Sequence, residues 1–422
     1  MAGKNNSRIV EVLHPICCGL DVHKKSVTAC LIVQTPSGER VEQREFGTFT
    51  HNLADLKEWL LNNECPIIAI ESTGVYWRPV FNVLEFSIQV ILVNARDTKH
   101  VPGRKTDMSD AKWLAGLLRH GLVKASFIPP EEVRQWRDWC RQRRIHVETL
   151  GDYKRRVHKM LEMANIKIDS VLSDLFGATG RNLIELLMSG NPISVNEVED
   201  CLRGRLAGKH GKQKAAELHD AVQGYFGDHQ RAVLKPMLRL IGYLEKEIAL
   251  IEERLKELLA PHRDLVERMI ATPGISYVAG WAILAEVSTT LETFRSVQAF
   301  CAWTGLAPGN HESAGKRKSG RSPVRRLTIR TILIEVAWAA VKCKKSYYRA
   351  KYFRLKARIG SKKAIVAVAH RIAKALFHII KNGAEFKDLG EDYLSLLNFK
   401  SRYEYLSREA KVIGCKVVPE SV

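Results

Sequence analysis

Two short apolar runs that each end at a lone carboxylate constrain this chain more than any other feature. Residues 16–22 carry Asp21 one position before their end, and residues 67–71 finish on Glu71 itself. An unpaired charge at the mouth of an apolar strand is costly unless a metal or a partner compensates it. The residues around them read as regular elements. Residues 26–34 form a second strand, Thr35-Pro36-Ser37-Gly38 a turn, and the residues through Gly47 a third strand. A helix follows, capped by Thr50 or Asn52, with Leu53, Leu56, Trp59 and Leu60 at helical spacing. The strand ending at Glu71, a helix over 76–86, a strand over 88–93 and a helix from about Asp107 to His120 complete the order. Three strands, helix, strand, helix, strand, helix predicts an α/β domain, a mixed sheet with helices packed on it.

The remainder reads differently. Residues 129–262 are almost wholly helical, and Ile241, Leu244, Ile248, Ile251, Leu255 and Leu258 repeat at 3-4-3-4-3 spacing. That seam is a short coiled coil, either a dimer contact or a pairing inside the chain. The expected organisation is a lead over 1–14, a sheet domain over 15–128, a helical connector over 129–262, a mostly α-helical domain over 263–384 and a tail over 385–422. The last forty residues offer no reading of their own.

Charge narrows the partner. Sixty-six Lys and Arg against 46 Asp and Glu give a net charge of +20. Between Ser313 and Ala384 the only acidic residue is Glu335, with seven basic residues over 316–330 and thirteen over 342–381. Trp338, Tyr347, Tyr348, Tyr352 and Phe353 are interleaved. Such a stretch repels itself, so a polyanion is the expected partner, and nucleic acid is the favoured one over an acidic membrane surface. Candidate phosphate contacts are Arg141, Arg143, Arg144, Arg155 and Arg156 in an arginine-rich helix. Lys105, Lys316, Arg317, Lys318, Arg321, Arg325 and Arg326 join them. The nine cysteines have no zinc-like spacing and no CxxC pair, which fits buried thiols in a reducing compartment. No signal peptide or membrane-length apolar run is present, so a cytoplasmic protein is expected.

Asp21, Glu71 and the pair Asp107 and Asp110 are the candidate chemistry. Asp107 and Asp110 are three apart at a helix start and share a face, although Asp107 also reads as a simple N-cap. On an RNase H-like order of elements the central strands and last helix converge. Four carboxylates there would hold one or two Mg²⁺ (or Mn²⁺) ions against a phosphate.

At this point the motifs resemble a family. Gly19-Leu20-Asp21-Val22-His23-Lys24, Glu71-Ser72-Thr73-Gly74 and Lys105-Thr106-Asp107-Met108-Ser109-Asp110-Ala111 are similar to those of the DEDD transposases. These are insertion-sequence recombinases with a RuvC-like N-terminal domain. Thr272-Pro273-Gly274-Ile275 resembles the helix-hairpin start of their transposase domain, and residues 300–308 the stretch before its serine motif. The resemblance implies metal-dependent DNA strand cleavage and exchange, with the four acids as metal ligands and a nucleophilic serine in a Ser-Gly-Gly-Lys loop. The matching run is Ser313-Ala314-Gly315-Lys316, where Ala314 departs from glycine, and Ser319 and Ser322 are competitors. Further implied are double-stranded DNA (element ends and target) as substrate and a structured noncoding bridge RNA as guide. A homo-oligomer, dimer or tetramer, with a composite centre, working at the bacterial nucleoid, completes the expectation. Two readings compete. A RuvC-like junction nuclease would use water and survive Ser313→Ala. A non-catalytic nucleic-acid-binding assembly protein would keep every product unchanged in Asp21→Asn and Glu71→Gln.

Overall fold

In the N-terminal residues, alternating burial drives a strand-rich unit. A computed structural model of the chain describes residues 11–71, 74–94, 109–208, 210–309, 311–313, 316–319 and 327–418. The chain divides into two compact units, residues 1–128 and 129–422.

The first unit has the element order the sequence predicts. Strands β1 (Ile16–Val22), β2 (Ser26–Thr35) and β3 (Gly38–Gly47) precede helix α1 (Thr50–Asn62). Strand β4 (Ile67–Glu71), helix α2 (Trp77–Leu84), strand β5 (Gln89–Val93) and helix α3 (Asp110–Arg119) follow. The sheet runs β3-β2-β1-β4-β5. β1, β2 and β3 pair antiparallel, while β1, β4 and β5 pair parallel. Side chains alternate across the pleat, so each strand feeds two cores. Leu20, Val22, Ile68 and Ile70 pack with Leu53, Leu56 and Leu60 of α1 and Val80 and Leu84 of α2. Cys17, Ile67, Ala69 and Val93 pack with Ala111, Leu114, Ala115 and Leu118 of α3. The mixed sheet therefore has helices on both faces. Edge strand β3 is mostly exposed and carries Glu39, Arg40, Glu42, Arg44 and Glu45, charges that discourage pairing with another edge.

Two helix starts differ from expectation. Phe49 occupies the cap position of α1 with no side-chain hydrogen bond, in place of Thr50 or Asn52, and Thr50 is already the first helical residue. α3 begins at Asp110, where the Ser109 side chain accepts from the Lys112 amide at 3.3 Å. Asp107 lies outside the described residues.

Among its described residues the second unit is helical apart from one short pair of strands. Two long helices form its spine, α4 (Glu131–Met163) and α9 (Asp228–Leu258). Ile241, Leu244, Ile251 and Leu255 of the α9 seam are buried. The two helices pack on each other, so the predicted coiled-coil seam is satisfied within the chain. Between them, α5 (Ile168–Val171), α6 (Ala178–Ser189), α7 (Val195–Cys201) and α8 (Gly211–Val222) build a lobe on one end of the spine. Val157, Leu161, Leu183, Ile184, Leu218 and Ile241 share its core. The other end, through Val133, Trp136, Ile251 and Leu255, joins a larger core with the remaining helices. These are α10 (Arg263–Ile270), α11 (Tyr277–Val287), α12 (Val297–Trp303), α13 (Thr328–Lys342), α14 (Tyr347–Ile359) and α15 (Ser361–Asn382). Strands β6 (His311–Ser313) and β7 (Lys316–Ser319) make that pair, and helix α16 (Tyr393–Val412) closes the order. No helix among the described residues is long and apolar enough to cross a membrane.

Candidate active site

β1 and β4 set the position of the first two acids. Their parallel register pairs Leu20 with Ile70, so Asp21 and Glu71 are the next residues on adjacent strands. Asp21 shares the parity of Cys17 and Gly19, and Glu71 that of Ile67 and Ala69. Both therefore fall on the α3 face of the sheet. The Asp21 side chain is 21% exposed, and His23 Nε2 lies 3.2 Å from its Oδ2. Glu71 is half-buried.

Gly19 lets helix α3 come close to β1. A Cβ at position 19 would lie 2.5 Å from the Ala115 amide nitrogen and would also strike the Ala111 carbonyl. Glycine there brings the first turns of α3 onto β1, two residues from Asp21. Asp110 opens α3 and is exposed. The far end of α3 is fixed by Arg119, 7% exposed, which pairs with Glu39 at 2.9 Å and donates to Gln34.

Carboxylate oxygens suit a hard divalent cation, and Asp21 and Glu71 stand at the ends of neighbouring strands on the sheet face against which the helix opened by Asp110 packs. The donor chemistry fits Mg²⁺ or Mn²⁺. Among the described residues no three His, Cys, Asp or Glu already form a cation-holding group. The fourth acid, Asp107, and Lys105 lie outside the described residues.

In the second unit, Ser313 ends β6 and is the register partner of Lys316 at the start of β7. The first and last residues of the run expected as a polar loop are thus paired across two antiparallel strands, with Arg317 and Lys318 on the second, while Ala314 and Gly315 lie outside the described residues. Ser319 ends β7. Ser322, Arg321, Arg325 and Arg326 lie outside the described residues. The Thr272-Pro273-Gly274 turn has a packing role. Gly274 has φ +88°, and a Cβ there would meet the Ala340 amide nitrogen of α13 at 2.5 Å.

The arginines of α4 are more committed than their number implies. Arg141 donates to both Glu286 oxygens at 2.9 and 3.2 Å. Arg137 donates to the Ala285 and Glu286 carbonyls, each at 2.9 Å. Arg143 lies 2.6 Å from Glu252, and Arg144 2.9 Å from Glu148. Arg155 pairs with Asp152 but stays 71% exposed, and Arg156 stacks over Tyr153 at 4.9 Å. The buried Glu286 clamp was missed in the sequence, although a single carboxylate in the otherwise apolar helix α11 was its signal.

Lys and Arg crowd α14 and α15, whose sequences hold no Asp or Glu. Lys351 has its pKa lowered by burial first and then by Arg371, Arg354 and Arg358. His370 is lowered in the same way, by burial and then by Lys374 and Arg371. The cysteines offer no nucleophile in the core. Burial pushes Cys17 and Cys140 up to about 12 and Cys65 and Cys301 up to about 11, so they remain thiols.

Comparison with known proteins points to transposases. A DEDD transposase family model of the IS110 type matches residues 18–166, the span that contains all four candidate acids. A second model, described as a transposase of the IS116/IS110/IS902 family, matches residues 266–353, which contain Ser313. A probable family 20 transposase of Pseudomonas aeruginosa is 27% identical over 197 residues. That match covers 44% of this chain and 57% of the relative, so the chain spans little more than half of that relative's length.

Proposed function

This chain belongs to the IS110 family of DEDD transposases, and from that premise we propose that it is a metal-dependent DNA recombinase with a serine nucleophile. The observation that carries the reading is the register of β1 and β4, which sets Asp21 and Glu71 side by side on the face where α3 begins. The strand order β3-β2-β1-β4-β5, antiparallel on one side of β1 and parallel on the other, supports an RNase H-like (RuvC-like) domain.

Asp21, Glu71, Asp107 and Asp110 would hold Mg²⁺ or Mn²⁺. When bound, such an ion offsets negative charge on phosphoryl oxygens as it builds up. The remaining chemistry falls to the chain's own residues. Ser313 Oγ forms a bond to phosphorus, its hydroxyl proton passes to solvent, and the bond from phosphorus to the sugar oxygen breaks, that oxygen leaving as a hydroxyl with a proton taken from solvent. Lys316 and Arg317 supply positive field near the phosphate. The serine–phosphate linkage preserves the energy of the broken bond. A sugar hydroxyl of the exchanged strand then attacks it, releasing serine after a Holliday-junction-like intermediate.

The substrate is double-stranded DNA at element ends and target. The protein works as a dimer or tetramer in the cytoplasm at the nucleoid, with a structured noncoding RNA as guide. The cationic surfaces of residues 129–422 are what support more than one bound polyanion. Arg155, Arg156 and the basic residues of 316–326 are the phosphate contacts favoured here, because Arg141 and Arg143 already face Glu286 and Glu252.

Cleavage of element-end DNA by the full chain, with its flanking transcript, tests the metal part. Activity is expected with Mg²⁺ or Mn²⁺, lost with chelator and lost in Glu71→Gln. Cleavage that persists in Glu71→Gln would sink the acid assignment.

A further inference from the structure

We propose that helix α16 pairs antiparallel with the same helix of a second copy of this chain. This inference stands apart from the catalytic reading. α16 is twenty residues long, and none of its described side chains is buried. Its first turn contacts helix α14. There Tyr393 meets the Tyr347 ring at 5.9 Å and Arg354 donates to the Leu394 carbonyl at 3.1 Å. In proteins most helical stability comes from packing an amphipathic face rather than from propensity.

The helix carries such a face. Leu396, Phe399, Tyr403, Leu406, Ala410 and Ile413 follow 3-4-3-4-3 spacing, the seam of a coiled coil. Leu396 is 64% exposed, Phe399 63%, Leu406 40% and Ile413 74%. Tyr403 is half-buried, its hydroxyl donating to the Val417 carbonyl at 3.3 Å.

Charge identifies the occupant. Residues 385–412 hold six acidic and five basic residues, so this segment, unlike the one before it, is not built for a polyanion. In an antiparallel pairing Leu396 stands opposite Ile413 of the second copy, Phe399 opposite Ala410, and Tyr403 opposite Leu406. Each large ring or branched side chain meets a complementary one. The same alignment sets Arg402 against Glu409 of the second copy, twice by symmetry. A parallel pairing would set Arg402 near Ser407 and match no charge.

Within one helix Arg402 and Glu409 are two turns apart and cannot pair, which makes a charge exchange diagnostic. Sedimentation velocity of the full chain would compare wild type, Arg402→Glu, Glu409→Arg and an equimolar mixture of the two variants, with helicity checked by circular dichroism. Each single variant places like charges across the seam, so self-association should weaken by about tenfold or more. The mixture restores both opposite-charge pairs and should return to wild-type association. Single variants that associate like wild type, or a mixture no stronger than its components, would overturn the antiparallel pairing.

Discussion

The two units of this chain use charge in opposite ways. Residues 1–128 hold 15 Lys and Arg against 13 Asp and Glu, whereas the other 294 residues hold 51 against 33. In the first unit the important charges are few and placed by backbone register. Asp21 and Glu71 follow paired residues on neighbouring strands, and no other alignment of β1 and β4 would set them level. In the second unit the charges are many, and a large share is consumed internally. Glu286 takes two arginines, Glu252 takes Arg143, and Glu245 takes both Lys154 and Arg181. α14 and α15 carry no Asp or Glu of their own, and Lys351 has its pKa lowered by burial first and by neighbouring arginines second. Under the proposed function, chemistry resides in position and polyanion affinity in surplus.

The largest expected effect separates these two roles. Asp21→Asn should reduce strand cleavage by about a thousandfold, a few kcal/mol of lost transition-state stabilisation, while DNA affinity holds or rises. A gel-shift titration beside the cleavage assay checks both halves, and equal loss of binding and cleavage would break the division. Next comes the buried clamp. Glu286→Ala leaves Arg137 and Arg141 without their carboxylate and should destabilise the second unit by about 3 kcal/mol, visible as an early step in thermal unfolding of the full chain. Gly19→Ala forces α3 off β1. It should cost about 2 kcal/mol of stability in the first unit and lower cleavage too, because Asp110 travels with the helix.

Smaller effects probe the surplus charge. Arg354→Ala and Arg358→Ala should each make the dependence of DNA affinity on salt shallower by about one phosphate contact. Fluorescence anisotropy across salt concentrations measures that slope. His370 gives the smallest signal. Its pKa is lowered in the folded state, so the unfolded chain binds the proton more tightly. Stability should therefore fall as pH drops through the ordinary value of 6.5, and a His370→Gln variant should lose less between pH 7 and pH 5.

How much of this was legible depends on what sets each feature. The sheet unit was readable because period-two burial and turn residues are local signals, and the order of its elements is as expected. Its helix caps were not, since Ser109 and Phe49 are chosen by how the chain enters each helix rather than by the nearest capping residue type. The seam at 241–258 was visible, but periodicity alone cannot choose between a partner in the same chain and one in another. Only the packing of α4 on α9 decides it. The same period in α16 is hidden in the sequence by mixed charge. Arginine counts overstated the free charge of α4, for a sequence lists donors without their acceptors.

The most direct test of the central claim is covalent trapping on element-end DNA with Mg²⁺ and the flanking transcript, using wild type, Ser313→Ala and Asp21→Asn. A protein–DNA adduct in wild type that disappears in both variants is the predicted result. Cleavage without any adduct, retained in Ser313→Ala and lost in Asp21→Asn, would contradict it and make the acids a water-using nuclease.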